Sequence, residues 1–137
     1  MSTDSAPRRQ SRERALTLLY EAELKGERPE VVLAGLSMDP DTYVTTLVSE
    51  VGARHEEIDK LVGEAAIGWD LDRMAVVDRN VLRLATAELL ACPDVPTAVI
   101  LNEAVELASA FSTDDSGRFV NGVLATVAGT VRGAAPD

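Results

Sequence analysis

The apolar residues of this chain recur at intervals of three and four, and that spacing constrains the fold more than any other feature. It is clearest in the segment MAVVDRNVLRLATAELLA, where Val77, Val81, Leu84 and Leu89 fall on one helical face. No segment alternates cleanly with the period of two that is typical of a half-buried strand. The sequence therefore predicts a protein built from amphipathic helices.

Cap and turn residues divide this pattern into about seven helices. The first helix is expected to start near Ser11 and to close at Gly26, and the second carries Pro29 in its first turn. Gly52 is expected to separate the third helix from the fourth. Asp39 or Asp41 is expected to cap the third helix, and Asp70 or Asp72 the fifth. Pro96-Thr97 is expected to open the sixth helix. The last helix is expected to be capped by Asp114 or Asp115 and to run from about Ser116 to Val131. Short connections between these helices predict an all-α bundle.

The 137 residues are expected to form one domain. A flexible basic arm is predicted over residues 1–10, a single helical domain over 11–132 and a disordered tail over 133–137. No apolar run approaches the ~20 residues of a membrane helix, so no membrane association is expected.

The inventory of reactive side chains argues against catalysis and against a metal centre. Cys92 and His55 are the only residues of their types, which is too few for a thiolate or imidazole metal site, and a lone thiol fits a reducing cytoplasm. Glu103 and Glu106 lie three apart on one helix, but the Glu-x-x-His partner motif of a di-iron bundle is absent. No glycine-rich phosphate loop or nucleophile motif is present. We therefore expect no enzyme activity and no cofactor.

Charge is distributed unevenly along the chain. The net charge is −10, yet residues 1–14 contain Arg8, Arg9, Arg12 and Arg14 against two acids. Like charges at helical spacing repel, and cations at a helix N-terminus oppose the helix dipole. This cluster therefore indicates an anionic partner, with a solubilising tail as the alternative.

The segment FSTDDSGRFVNGVL combines residue types that suit unpaired RNA. Phe119 offers a stacking face, Arg118 a phosphate contact and Asp115 an acceptor for a base edge. Helix capping by an acid and core packing of the ring are the structural alternatives. The small profile of Gly122 predicts a closely packed neighbour.

Three stretches together resemble one family, namely RERALTLLYEAEL, VDRNVLRLATAELL and DVPTAVILNEAVELASAFSTDDSGRFVNGVL. They are similar, in order and spacing, to the NusB family of bacterial transcription antitermination factors. The resemblance implies two packed three-helix bundles. It also implies binding to boxA RNA of ribosomal RNA leaders together with ribosomal protein NusE, within the RNA polymerase antitermination complex.

The resemblance also assigns residues, matched position by position. The implied RNA-binding set is Arg8, Arg9, Arg12, Tyr20, Arg83, Asp115, Arg118 and Phe119, and Asp78 is the position implied to face NusE. The chain departs from the family pattern at Gln10, at Gly117 and at Ala66, where some members have a larger ring. Tyr20 has the alternative of a core aromatic with a wet hydroxyl.

Two further interpretations stay open. One is a homodimeric interaction protein whose RNA face is masked in the dimer. The other is the RNA-binding domain of a ribosomal RNA-modifying system, which requires a fused catalytic domain. The RNA hypothesis expects the basic first helix and the start of the last helix to meet and form one RNA face.

Overall fold

The computed structural model describes residues 5–133, which form seven α-helices, one short 3₁₀ helix and no strand. The α-helices are α1 (Ser5–Lys25), α2 (Pro29–Ala34), α3 (Thr42–Ala53), α4 (His55–Ala65), α5 (Val76–Ala91), α6 (Thr97–Phe111) and α7 (Asp114–Arg132), and the 3₁₀ helix is Leu71–Arg73. The predicted all-α class is confirmed. Within these residues no helix is long and apolar enough to cross a membrane.

The helices pack as two groups. The helices α1, α2 and α3 contact one another, and α5, α6 and α7 form a second set, on which α4 packs through α5 and α7. The first group meets the second where α1 and α3 lie against α5. This is the expected arrangement of two packed three-helix bundles, with α5 at their junction.

One continuous core runs through both groups. It includes Leu18 of α1, Leu47 of α3, Ile58 of α4, Leu82 of α5 and Leu124 of α7, all fully buried. Full burial of such a side chain contributes roughly 1.5–3 kcal/mol, so this shared apolar interior holds the helix framework on which the polar sites are built.

The first helix begins earlier than the sequence predicts. α1 starts at Ser5 instead of near Ser11, so residues 5–10 of the expected arm are helical and carry their arginines on a defined helix. The remainder of the expected arm, residues 1–4, and of the expected tail, residues 134–137, lie outside the described residues.

Two of the predicted helix caps are wrong, and one is confirmed. Asp41 caps α3 by accepting a hydrogen bond of 2.9 Å from the Val44 backbone N–H. α5 is instead preceded by Ala75 without a side-chain cap, because Leu71–Arg73 form a 3₁₀ helix in front of it. The cap of α7 is Thr113, which forms a reciprocal capping box with Ser116. A cap of this kind stabilises a helix by about 1 kcal/mol and leaves the acids of the first turn exposed.

The close contact expected at Gly122 occurs at Gly117 instead. Within residues 5–133, a Cβ at Gly122 would meet nothing within 4 Å, whereas one at Gly117 would lie 2.8 Å from Ser109 Oγ and 3.3 Å from Val105 Cγ1. Gly117 is therefore the residue that lets α7 approach α6 closely.

Candidate nucleic-acid interface

Arg12 is buried at the junction between the two helix groups. Its side chain is 3% exposed, and its Nε and Nη2 donate to the Glu88 carboxylate at 2.6–3.1 Å. Tyr43 of α3 also donates its hydroxyl to Glu88, at 2.5 Å. A single carboxylate on α5 thus ties α1 to α3.

The pKa values around Glu88 follow from this burial. Burial lowers the pKa of Arg12, but its hydrogen bonds to Glu88 and the charge interactions with Glu88, Tyr43 and Glu103 together outweigh burial, so the net shift is upward. The pKa of Tyr43 is raised strongly by burial and by hydrogen bonds with Cys92 and Glu88. Burial also raises the pKa of the Cys92 thiol, which is buried beside Tyr43. Arg12 is therefore a permanent cation and Tyr43 a neutral donor near pH 7.

Two further arginines of α1 surround this pair. Arg9 donates its Nε to Glu103 Oε1 at 3.0 Å and its Nη2 to Glu103 Oε2 at 2.6 Å. Arg8 lies over the Tyr43 ring, with its guanidinium carbon 4.6 Å from the ring centre, which is a cation–π geometry. We call these residues the α1 cluster, namely Arg8, Arg9, Arg12, Tyr43, Glu88 and Glu103.

Exposure differs sharply within the α1 cluster. The Arg9 side chain is 52% exposed, whereas its partner Glu103 is only 6% exposed. The Arg9 hydrogen bonds hold the pKa of Glu103 below its usual range, and the same bonds raise the pKa of Arg9. Arg9 is consequently the member of this ion-pair network that faces solvent.

A second polar site lies where α7 begins. The rings of Phe119 and Trp69 pack edge to face, with centres 5.6 Å apart and planes at 62°. Trp69 remains 54% exposed, and it follows Gly68, whose left-handed φ of +84° turns the chain after α4. Two aromatic rings therefore stand together at an open surface.

Charged residues surround these two rings. Arg73, Asp78 and Asp115 line the same open pocket, and Arg118 forms an ion pair of 2.6 Å with Asp115. The Asp115 and Arg118 side chains are each 86% exposed. We call this site the α7 corner, namely Trp69, Arg73, Asp78, Asp115, Arg118 and Phe119. Stacking faces beside guanidinium groups and carboxylate acceptors are what an unpaired nucleotide requires.

Asp78 is held inside the α7 corner. Its Oδ2 accepts a hydrogen bond of 3.1 Å from Ser116 Oγ, which belongs to the α7 capping box. Its Oδ1 is buried and has no hydrogen-bond partner within the described part of the chain. The residue implied to face a protein partner therefore lies beside Phe119, among residues implied to contact RNA.

The α1 cluster and the α7 corner lie at different positions along α5, and the single RNA face expected from the sequence stays a prediction. Glu88 belongs to the first site and Asp78 to the second, and they are ten positions apart on α5, about 15 Å along the helix. Arg12, which the resemblance assigns to the RNA-binding set, is buried, because its guanidinium pairs inside the protein with Glu88, 76 residues away in sequence.

The two other residues implied to contact RNA occupy different surroundings. Tyr20 is exposed on α1, so the alternative of a core aromatic does not apply. Arg83 is largely buried, and it donates to both oxygens of Asp59 at 2.8 and 3.1 Å and to Glu23 at 3.3 Å. Arg79 also pairs with Glu23. Arg83 thus belongs to a network that joins α1, α4 and α5.

Comparison with known proteins identifies the family. The model of the NusB family matches residues 9–129. The chain belongs to the NusB family. It is 50% identical to the transcription antitermination protein NusB of Saccharopolyspora erythraea, over 94% of this chain and 96% of that protein.

Solved structures of NusB proteins have the same fold. The structure of T. maritima NusB aligns with a TM-score of 0.78 and 32% identity, covering 93% of this chain and 92% of that one. A structure of the antitermination factors NusB and NusE in complex with double-stranded RNA aligns with a TM-score of 0.76 and 28% identity, covering 90% and 96% respectively.

In this NusB-family chain, the α7 corner contains two residues that sequence reasoning missed. Trp69 and Arg73 lie in the connection between α4 and α5, away from the motifs that carried the resemblance. The available signal was the chain's single tryptophan, placed directly after a glycine in a polar connection. Ala66 is buried, and Trp69, three residues later, packs edge to face with Phe119.

Proposed function

We propose that this protein is a non-catalytic transcription antitermination factor of the cytoplasm. It binds boxA RNA as an unpaired strand, together with ribosomal protein NusE, and acts within the RNA polymerase antitermination complex. Membership of the NusB family supports this proposal, and a complex of NusB and NusE with double-stranded RNA, which shares the fold, supports RNA and NusE as partners.

The α7 corner is the observation that carries the proposal. Trp69 and Phe119 provide adjoining ring surfaces, on which bases stack irrespective of sequence, worth about 1–3 kcal/mol per base. Arg73 and Arg118 provide charge for phosphates, and the exposed carboxylate of Asp115 provides an acceptor for a base amino group. A surface built only for non-specific binding of polyanions would not include such an acceptor.

The same residues give a direct assay, because Trp69 is the only tryptophan in the sequence. Titration with a boxA-containing RNA oligonucleotide should change the Trp69 fluorescence, and a scrambled oligonucleotide should require a higher concentration for the same change. Contacts to three or four phosphates predict a slope of roughly −2 to −3 for log K against log salt. Equal affinity for boxA and scrambled RNA, with and without NusE, would refute the proposal.

Substitution of the corner aromatic provides a matched test. Phe119→Ala should weaken boxA binding about 5- to 150-fold, because one stacking surface is lost. Phe111→Ala is the control, since Phe111 is 54% exposed at the end of α6 and does not line the pocket of the α7 corner. The control should retain wild-type affinity, and equal losses for the two variants would contradict the placement of the RNA surface.

A further inference from the structure

Glu103 binds Arg9 in the way that a phosphate would bind it. The two hydrogen bonds, at 3.0 and 2.6 Å, join one edge of the guanidinium to both carboxylate oxygens. Guanidinium groups bind phosphates through the same two-point geometry. The half-exposed Arg9 is therefore a suitable phosphate contact whose binding edge is already occupied by an internal anion.

Arg12 is a second cation with which Glu103 can pair when Arg9 dissociates from it. Among the residues that the structure describes, Arg12 Nη1 is buried without a hydrogen-bond partner, and it lies 3.6 Å from Glu103 Oε1. A buried donor of this kind gains a charge-assisted hydrogen bond when the carboxylate moves toward it by a few tenths of an ångström. Release of Arg9 consequently leaves Glu103 paired, because Arg12 replaces the lost contact.

We propose that the Glu103 carboxylate is an internal stand-in for an RNA phosphate: it occupies the guanidinium of Arg9 in the free protein. When RNA binds, a backbone phosphate displaces Glu103 from Arg9. This inference rests on the proposed function and adds a means of regulating it, because Glu103 sets how strongly α1 binds RNA. Displaced from Arg9, Glu103 pairs with Arg12, while Glu88 continues to hold Arg12 in place. Arg9 is then the arginine of the α1 cluster that contacts the strand, and Arg12 acts behind it.

Glu103→Gln tests this proposal against a matched control, Glu106→Gln. Both glutamates belong to α6, three residues apart, and both act electrostatically on Arg9, but Glu106 is exposed and has no hydrogen bond to it. Glu103→Gln should bind a boxA-containing oligonucleotide about two- to five-fold more tightly than the wild type, the range expected when one partly exposed ion pair no longer competes. Glu106→Gln should give a smaller gain.

A double substitution separates pairing from general charge removal. The gain from Glu103→Gln should disappear in an Arg9→Gln background, because no guanidinium remains to be released. Glu103→Asp protects the test against misfolding of the first variant, since it keeps a charge beside Arg12 but shortens its reach toward Arg9. It too should bind RNA more tightly than the wild type.

Failure of this inference is distinguishable from failure of the proposed function. If wild-type protein prefers boxA over scrambled RNA but Glu103→Gln and Glu103→Asp bind no more tightly, Glu103 is not a phosphate stand-in. Persistence of the gain without Arg9 would overturn the inference as well. If the wild type shows no preference for boxA, the proposed function itself is refuted.

Discussion

The buried pair of Arg12 and Glu88 yields the prediction with the largest expected effect. Arg12→Met replaces the guanidinium by an apolar side chain of similar length and leaves the carboxylate of Glu88, on a side chain only 2% exposed, with Tyr43 as its remaining donor. Removing one partner of a buried ion pair typically costs 3–5 kcal/mol, because the other charge is left uncompensated. We therefore expect a loss of about 3–5 kcal/mol in the free energy of unfolding.

This loss translates into a measurable melting temperature. An unfolding entropy of about 2.1 cal/mol/K per residue gives about 0.3 kcal/mol/K for 137 residues. The expected decrease in Tm is therefore about 10–17 °C, measured by circular dichroism or calorimetry. Arg14→Met is the control, because Arg14 is exposed on the same helix, and its effect should stay within about 0.5 kcal/mol.

The double variant Arg12→Met/Glu88→Met completes the test. Replacing both members of a buried ion pair by apolar residues of similar size is often neutral, so the double variant should regain most of the stability lost by Arg12→Met. The reasoning is refuted if Arg12→Met melts no lower than Arg14→Met. It is refuted equally if the double variant is less stable than both single variants.

Three smaller effects follow from the same structure. Gly122→Ala should raise the free energy of unfolding by about 1 kcal/mol, because alanine favours the helix more than glycine does. Gly117→Ala should have a free energy of unfolding about 1 kcal/mol lower than that of Gly122→Ala, because its methyl group crowds α6. Urea unfolding of the two variants checks this order. Thr113→Ala should cost about 1 kcal/mol in the same assay through loss of the capping box, and an unchanged urea midpoint would contradict that cap. The lowered pKa values of Glu103 and Glu23 stabilise the fold above the unfolded glutamate value of about 4.3, and this stabilisation is lost as the pH falls through the lower folded values. Urea midpoints should therefore decrease below about pH 4, and less so in Glu103→Gln.

The helices were predictable because their signals are local. Apolar spacing located each helix, and Pro29 and Asp41 marked starts that the structure confirms. The burial of Arg12 was not predictable in this way, because its partner Glu88 lies 76 residues along the chain. No residue near Arg12 in sequence indicates that a carboxylate packs against it. A charge cluster that looks locally unfavourable can be compensated by a distant carboxylate as well as by a ligand.

The candidate site was predicted in part for the same reason. Phe119, Arg118 and Asp115 are close in sequence, so a single motif identified their shared position at the start of α7. Trp69 comes from a connection 50 residues earlier, and only the packing of α4 against α7 brings it to Phe119. Likewise, both Gly117 and Gly122 qualify for close packing by composition, and only the position of α6 distinguishes them.

The buried thiol of Cys92 can report local opening between α3 and α5. Cys92 is the only cysteine, so an alkylating reagent can modify one position, and that position is covered beside Tyr43 at the seam between α3 and α5. Both its burial and its raised pKa suppress the reactive thiolate while the seam is closed. The rate of thiol labelling therefore measures how often the two helix groups separate at this seam, without any engineered probe.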